Sequence, residues 1–278
     1  MRTRKICIHL TLSLVLVTLA LSATAAAQLV PYDDFSSTRI DPAKWIGVPA
    51  SVTVEGDVDR REVSVGLLGQ GASRGLHISQ TMYSSTGTNT GAGGSGFGLG
   101  FAHASKLTAV SFSLTVKDAQ PLGCDDNGAA AFVVAGLSAT FFNPNPSPDG
   151  STGDITVGLS AIRFSTDSGN NVDISGGIAQ CNDRKCINQT NLSFADLGPV
   201  PIGSTNTLAV TWDKPNHQFI FQLNANTPVA SGYTLSDAYP PGVDLKSLFV
   251  FGAVPHCTAT PRPYASMDTL FDNVFVNP

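Results

Sequence analysis

The sequence predicts an all-β protein, an antiparallel β-sandwich. Three observations point there. Apolar residues alternate with polar ones at period two through most of the chain. Turn clusters rich in Gly, Pro, Asn and Asp separate the alternating runs. Helical periodicity is nearly absent, so no crossover helices are available to join parallel strands. Many short strands without such helices imply antiparallel sheets packed as a sandwich or jelly roll.

The elements follow in order. Asp41-Pro42-Ala43-Lys44-Trp45 reads as one helical turn, with Asp41 capping and Pro42 at the first position. Gly91–Gly100 (GAGGSGFGLG) lacks the following helix and Lys-Ser/Thr of a phosphate-binding loop, and reads as a flexible loop entering a strand. Ser111–Val116 alternates and is rich in strand formers, and Ala130–Val134 is a continuous apolar run suited to a strand covered on both faces. Asn143–Gly150 is a turn cluster and Asp154–Phe164 alternates again. The clearest hairpin is 207–212 with 218–223, joined through Asp213-Lys214-Pro215-Asn216-His217. Leu208, Val210 and Trp212 share a face of its first arm, and Phe219, Phe221 and Leu223 share a face of the second. Leu248–Val254 and Leu270–Val276 supply the last strands, and no internal repeat is present.

The first 27 residues have their own pattern. Arg2, Arg4 and Lys5 precede an apolar run from Ile6 to about Ser22, followed by Ala23-Thr24-Ala25-Ala26-Ala27. Basic, apolar, then small is the layout of a secretory signal, with the cut expected after Ala27. Residues 28–278 are then expected to form a single β-sandwich domain, secreted or held in the periplasm or at the cell surface. That mature chain holds 13 Lys+Arg against 21 Asp+Glu, a net charge near −8 without a basic stripe. Nucleic-acid binding is excluded on that balance. No second apolar run is long enough to span a bilayer.

Four cysteines remain after the leader, an even count that reads as two disulfides in an oxidising compartment. Cys181 and Cys186 enclose four residues and are expected to pair locally, leaving Cys124 with Cys257. No CxxC or HxxxH spacing supports zinc instead.

Three segments carry a resemblance. Asp33-Asp34-Phe35 through Ile40-Asp41-Pro42-Ala43-Lys44-Trp45, the Trp212-Asp213…Phe219-Ile220-Phe221 hairpin and the ending Phe271-Asp272-Asn273-Val274-Phe275-Val276 resemble, in that order, the opening, a hairpin and the closing strand of the concanavalin A-like lectin/glucanase jelly rolls. The resemblance implies a concanavalin-like jelly roll. It also implies a structural calcium where the chain ends meet, on Asp272 with Asp33 or Asp34. Function does not follow from that fold alone.

The glucanases of that group carry E-x-D-x-x-E on one strand, a pattern this chain lacks. Its only glutamates are Glu55 and Glu62, and the nearest match, Glu55-Gly56-Asp57-Val58-Asp59-Arg60, places Arg60 where the last Glu belongs. That segment reads as a charged edge or turn. His77, His103, His217 and His256 belong to no GxSxG elbow or HExxH helix, and a Tyr/His lyase set would have to come from His77, Tyr83 and His103. For sugar contact, Tyr233, Tyr239 and Tyr264 are the candidate ligand-binding rings, whereas Trp45 and Trp212 read as core. The Asn188 and Asn191 sequons mark an exposed loop. The expected function is a non-catalytic carbohydrate-binding or surface-interaction module whose partner is a glycan or cell-surface polysaccharide. The alternatives are a divergent glycan-cleaving enzyme, hydrolase or lyase, working through carboxylates such as Asp57 and Asp59, and a structural envelope or extracellular protein.

Overall fold

A computed structural model describes residues 28–47, 58–71, 74–84, 91–124, 128–258 and 260–278. The expected leader, Glu55 and Asp57 lie outside the described residues, as does the side chain of Asp59.

Fifteen strands run β1 (Val30–Asp33), β2 (Trp45–Gly47), β3 (Val58–Leu68), β4 (Gly75–Ser84), β5 (Ala92–Phe101), β6 (Ala109–Leu122), β7 (Phe132–Phe142), β8 (Ile155–Phe164), β9 (Asn171–Cys181), β10 (Gln189–Pro201), β11 (Thr205–Asp213), β12 (Gln218–Leu223), β13 (Val229–Gly232), β14 (Lys246–Pro255) and β15 (Tyr264–Val276). One sheet has the order β13-β12-β11-β6-β15-β4-β3, with β1 on β15, and the other the order β10-β9-β8-β7-β14-β5-β2. Among the described residues all fifteen strands pair antiparallel. The two sheets enclose one apolar core, and the arrangement is an antiparallel β-sandwich of the jelly-roll type expected from the sequence.

Alternation sets the register. In the β11–β12 hairpin Leu208 faces Leu223, Val210 faces Phe221 and Trp212 faces Phe219. All but Trp212 are buried, Phe219 and Phe221 completely. The connection is a 3-10 turn, Lys214–Asn216, closed by His217 in the left-handed region at φ 49°. At the other end Asp41 accepts the Ala43 N–H at 2.9 Å, as its capping position requires. The turn delivers Trp45 to the core at 3% exposure, among Phe35, Tyr32 and Phe101.

The structure corrects two expectations. Gly91–Gly100 is no loop, since nine of its ten residues lie in β5. Gly94 and Gly96 share a face on which the Phe251 ring of β14 lies across them. A Cβ on Gly94 would stand 2.8 Å from Phe251 Cζ, and one on Gly96 2.9 Å from Phe251 Cδ2. The opposite face of the same strand buries Leu99 and Phe101. The strand expected at Ala130–Val134 begins at Phe132 and runs on to Phe142.

Both disulfides pair as the spacing suggests. Cys124–Cys257 closes a separation of 133 residues and Cys181–Cys186 one of 5. Asp183 orders the small loop by accepting the N–H groups of Lys185, Ile187 and Asn188 at 2.7–3.2 Å. The Asn188 bond is the main reason its carboxyl pKa falls to about 2. Among the described residues no helix is long and apolar enough to cross a membrane.

Candidate functional site: two hollows

The outer face of the seven-stranded sheet holds a shallow groove of about 230 Å³. Outward-facing positions of β7, β8 and β9 carry small residues: Ser138, Thr156, Gly158, Ser160, Ser175 and Gly177. With so little side chain above the backbone, the sheet surface itself becomes the floor. Phe249 of β14 borders it on one side and β10 on the other. The β10 register shifts between Asn191 and Ser193. That bulge changes the phase of the strand, so Asn191 before it and Phe194 after it both line the groove. Phe194 is 70% exposed, the largest exposure of any large apolar side chain described. Gln189 joins them with a second amide. None of the lining side chains is ionisable.

The second hollow is a basin of about 250 Å³ at one end of the sandwich. Strand ends and one loop build it: Leu107 and Thr108 before β6, Phe141 at the end of β7, Trp212 at the end of β11, Lys214, and residues 237–246. Asp154, fully buried, fastens that loop by accepting the N–H groups of Gly242 at 2.6 Å and Val243 at 2.9 Å. Position 242 has to be glycine, because a Cβ there would lie 2.0 Å from the Gly150 carbonyl oxygen.

A hydrogen-bond chain runs beside the basin. The Trp212 indole Nε1–H donates to Tyr233 Oη at 2.7 Å, and Tyr233 donates to Asp237 Oδ2 at 2.7 Å. Burial, aided by Asp237, raises the Tyr233 pKa far above the usual tyrosine range, so the phenol stays a donor. His217 Nδ1 approaches the same carboxylate oxygen at 3.3 Å. Lys214 Nζ lies 5.1 Å from the Trp212 ring centroid and donates to the Asp237 backbone carbonyl at 2.8 Å. Lys246, its side chain 3% exposed, sits 4.8 Å from the Phe141 centroid and 3.1 Å from Asp244 Oδ1. Burial pushes its ammonium below the ordinary lysine range, and Asp244 pulls it part of the way back.

The three candidate tyrosines do not meet in one place. Tyr239, 39% exposed, lines the basin, and Tyr233 lies buried beside it at 8%. Tyr264 lines a third hollow with Gln120, Arg163 and Asp167, 6.1 Å from the Tyr83 ring. Trp212 is only partly buried, stacked on Phe142, and also lines the basin.

The acidic candidates are closer together. Asp33 receives the Phe35 N–H on Oδ1 and the Trp45 indole N–H on Oδ2, so both of its oxygens are engaged. Asp34 accepts from the backbone and hydroxyl of Ser36. Burial first, then the charges of Asp34 and Asp33, raises the pKa of Asp272. Among the described residues no group of three His, Cys, Asp or Glu side chains is arranged to hold a metal ion. His77 is 2.7 Å from Asp268, His103 precedes a 3-10 turn and His256 is buried. The three lie on different elements. Glu62 is exposed on β3, an edge strand.

The groove escaped sequence reasoning because serine and glycine on alternate positions look like any solvated sheet face. The basin escaped it because its members are brought together only by folding.

No protein-family model matches the chain, and no curated protein matches it. Solved structures similar to it include the catalytic domain of an endo-1,3-beta-glucanase (laminarinase) from Thermotoga petrophila (12% identity, 90% of this chain and 98% of that one, TM-score 0.44). An alginate lyase from Klebsiella pneumoniae is similar at 10% identity over 77% of this chain and 84% of that one, TM-score 0.40. A carbohydrate-binding module from Bacillus subtilis is similar at 10% identity over 81% of this chain and 98% of that one, TM-score 0.32.

Proposed function

We propose that the chain is a secreted, non-catalytic carbohydrate-binding module that holds an uncharged glycan in the groove of the seven-stranded sheet. The observation that carries this reading is Phe194, 70% exposed over a floor of hydroxyls and backbone. A sugar ring has apolar C–H faces and a polar edge. An aromatic face takes the first, and the amides of Gln189 and Asn191 with the hydroxyls of Ser160 and Ser175 take the second. General acid–base cleavage needs a titratable group within reach of the bond, and the groove lining supplies none. The basin has carboxylates, but Asp237 is engaged by Tyr233 and Asp244 by Lys246, which leaves a glycan-cleaving role with less support.

The test is a glycan array with the purified oxidised chain, the bound glycans being recovered and weighed by mass spectrometry. Intact uncharged glycans, with binding reduced at least tenfold in Phe194→Ala, are expected. Recovered fragments would establish cleavage, and no binding by folded protein would leave the structural role. Secretion is supported by the leader pattern and the two disulfides.

We also propose a weak structural calcium near Asp272 and Asp34, completed by carbonyl oxygens. The support is the pairing of β1 with β15, Asp33 opposite Val274, which brings Asp33 and Asp34 near Asp272, whose pKa is raised first by burial and then by those two charges. A thermal midpoint that rises with calcium and falls with chelator is expected, and an unchanged midpoint removes the site.

A further inference from the structure

We infer that the end basin is a second ligand site and that it takes a sugar bearing a carboxylate. The inference stands apart from the groove, which lies on the outer face of a sheet and contains no charge. At about 250 Å³ the basin is smaller than the roughly 300–1,000 Å³ of drug-sized sites, so it suits one small ring rather than a chain.

Its polar equipment is specific. Lys246 is a lysine almost wholly removed from water, an expensive position for a charge. An ammonium offers three donors, and Asp244 Oδ1 is its hydrogen-bond partner among the described residues. Lys214 adds a second ammonium to the lining, with the Asp237 carbonyl as its close acceptor. The Asp237 carboxylate directs Oδ2 toward Tyr233 and His217, and its Oδ1 stands 4.0 Å from Lys214. Both lysines therefore keep donors for an occupant. A carboxylate answers two ammonium groups with charge-assisted hydrogen bonds. Tyr239, exposed by 39% on the same lining, offers a face for the ring that bears it. Together these features select a uronate-type monosaccharide unit over a neutral one.

Two tryptophans make the experiment direct. The Trp212 indole N–H belongs to the basin's hydrogen-bond chain, while that of Trp45 is held by Asp33 among Phe35, Tyr32 and Phe101. The full chain, labelled with nitrogen-15, is titrated with methyl glucuronide, methyl glucoside and acetate at low salt. The glucuronide is expected to shift the Trp212 indole resonance and leave that of Trp45 in place, with an affinity at least tenfold above the glucoside and acetate. Lys246→Met is expected to lower that affinity at least tenfold. Lys214→Gln, which keeps a long polar side chain at the rim, covers the case in which Lys246→Met does not fold. A Trp212 shift produced by glucoside or by acetate at the same concentration as by glucuronide, or an unmoved Trp212 resonance, would each overturn the inference. Failure of the groove reading leaves these outcomes untouched, because that reading is scored at Phe194 and with uncharged glycans.

Discussion

The groove and the basin are built on opposite principles. The groove is a face of regular sheet whose side chains have been pared down, so its shape is the shape of the backbone. The basin is assembled from strand ends and one loop, and its lysines and carboxylates each have a hydrogen bond to a neighbour. A hollow of the first kind is as stable as the sheet beneath it. A hollow of the second kind depends on a few hydrogen bonds that water would compete for. Substitutions should therefore act on different observables in the two places; three of them test that difference, and a fourth, outside both hollows, gives the baseline.

The largest effect is expected beneath the groove. Gly136 lies on the outer side of β7, where a Cβ would stand 2.2 Å from the Leu159 carbonyl oxygen and 2.6 Å from the Ser160 Cα. Those atoms belong to β8, which is paired on both sides, so they cannot retreat. Gly136→Ala is expected to cost about 3 kcal/mol, the upper end of the overpacking range, measured by denaturant unfolding. A loss below 1 kcal/mol would mean that the sheet face yields, contrary to the rigidity argued for it.

This position also shows how far a sequence can be read. The β11–β12 hairpin is legible because both arms alternate and the turn residues agree. Strand β5 is illegible as a strand, because glycine is normally a breaker and the Phe251 ring that explains Gly94 and Gly96 comes from β14, about 150 residues away. The bulge that turns Phe194 into the groove breaks the alternation from which a facing would have been inferred. Of the residues lining the basin, the sequence marks only Tyr239 as a ligand contact. Lys246 and Lys214 carried no motif, because their meaning comes from burial and from the rings of Phe141 and Trp212.

The next effect belongs to the basin. Tyr233→Phe removes the one atom that accepts from Trp212 and donates to Asp237. Two buried or half-buried polar groups lose a partner, which is expected to cost about 1–3 kcal/mol. The midpoint in urea should fall and the Trp212 indole resonance should move. A change within experimental error would show that the chain beside the basin is ornamental and that packing of Phe142 and Phe219 on Trp212 holds the site.

A third substitution separates shape from stability. Gly158 faces the groove and has open space where its Cβ would be. Gly158→Leu is expected to leave stability within about 0.5 kcal/mol of the parent, while weakening glycan binding at least tenfold, about 1.4 kcal/mol. Gly136 and Gly158 thus form a matched pair, one supporting the sheet and the other keeping the groove empty. Retained binding in Gly158→Leu would move the glycan away from this face.

The smallest effect is expected outside both hollows, where the chain ends meet. Burial and the nearby Asp34 and Asp33 raise the pKa of Asp272. A carboxyl whose pKa is higher folded than unfolded disfavours the fold when ionised. That cost is present above the folded pKa and is relieved as the pH falls through it. Asp272→Asn should therefore raise the thermal midpoint slightly at neutral pH without calcium, by no more than about 0.5 kcal/mol in stability, and the gain should vanish in acid. Added calcium should reverse the sign, because the cation turns the same crowding into attraction and the amide lacks the charge to exploit it. A gain that persists in acid would assign the effect to packing at position 272 and would leave the carboxylate cluster without an electrostatic role.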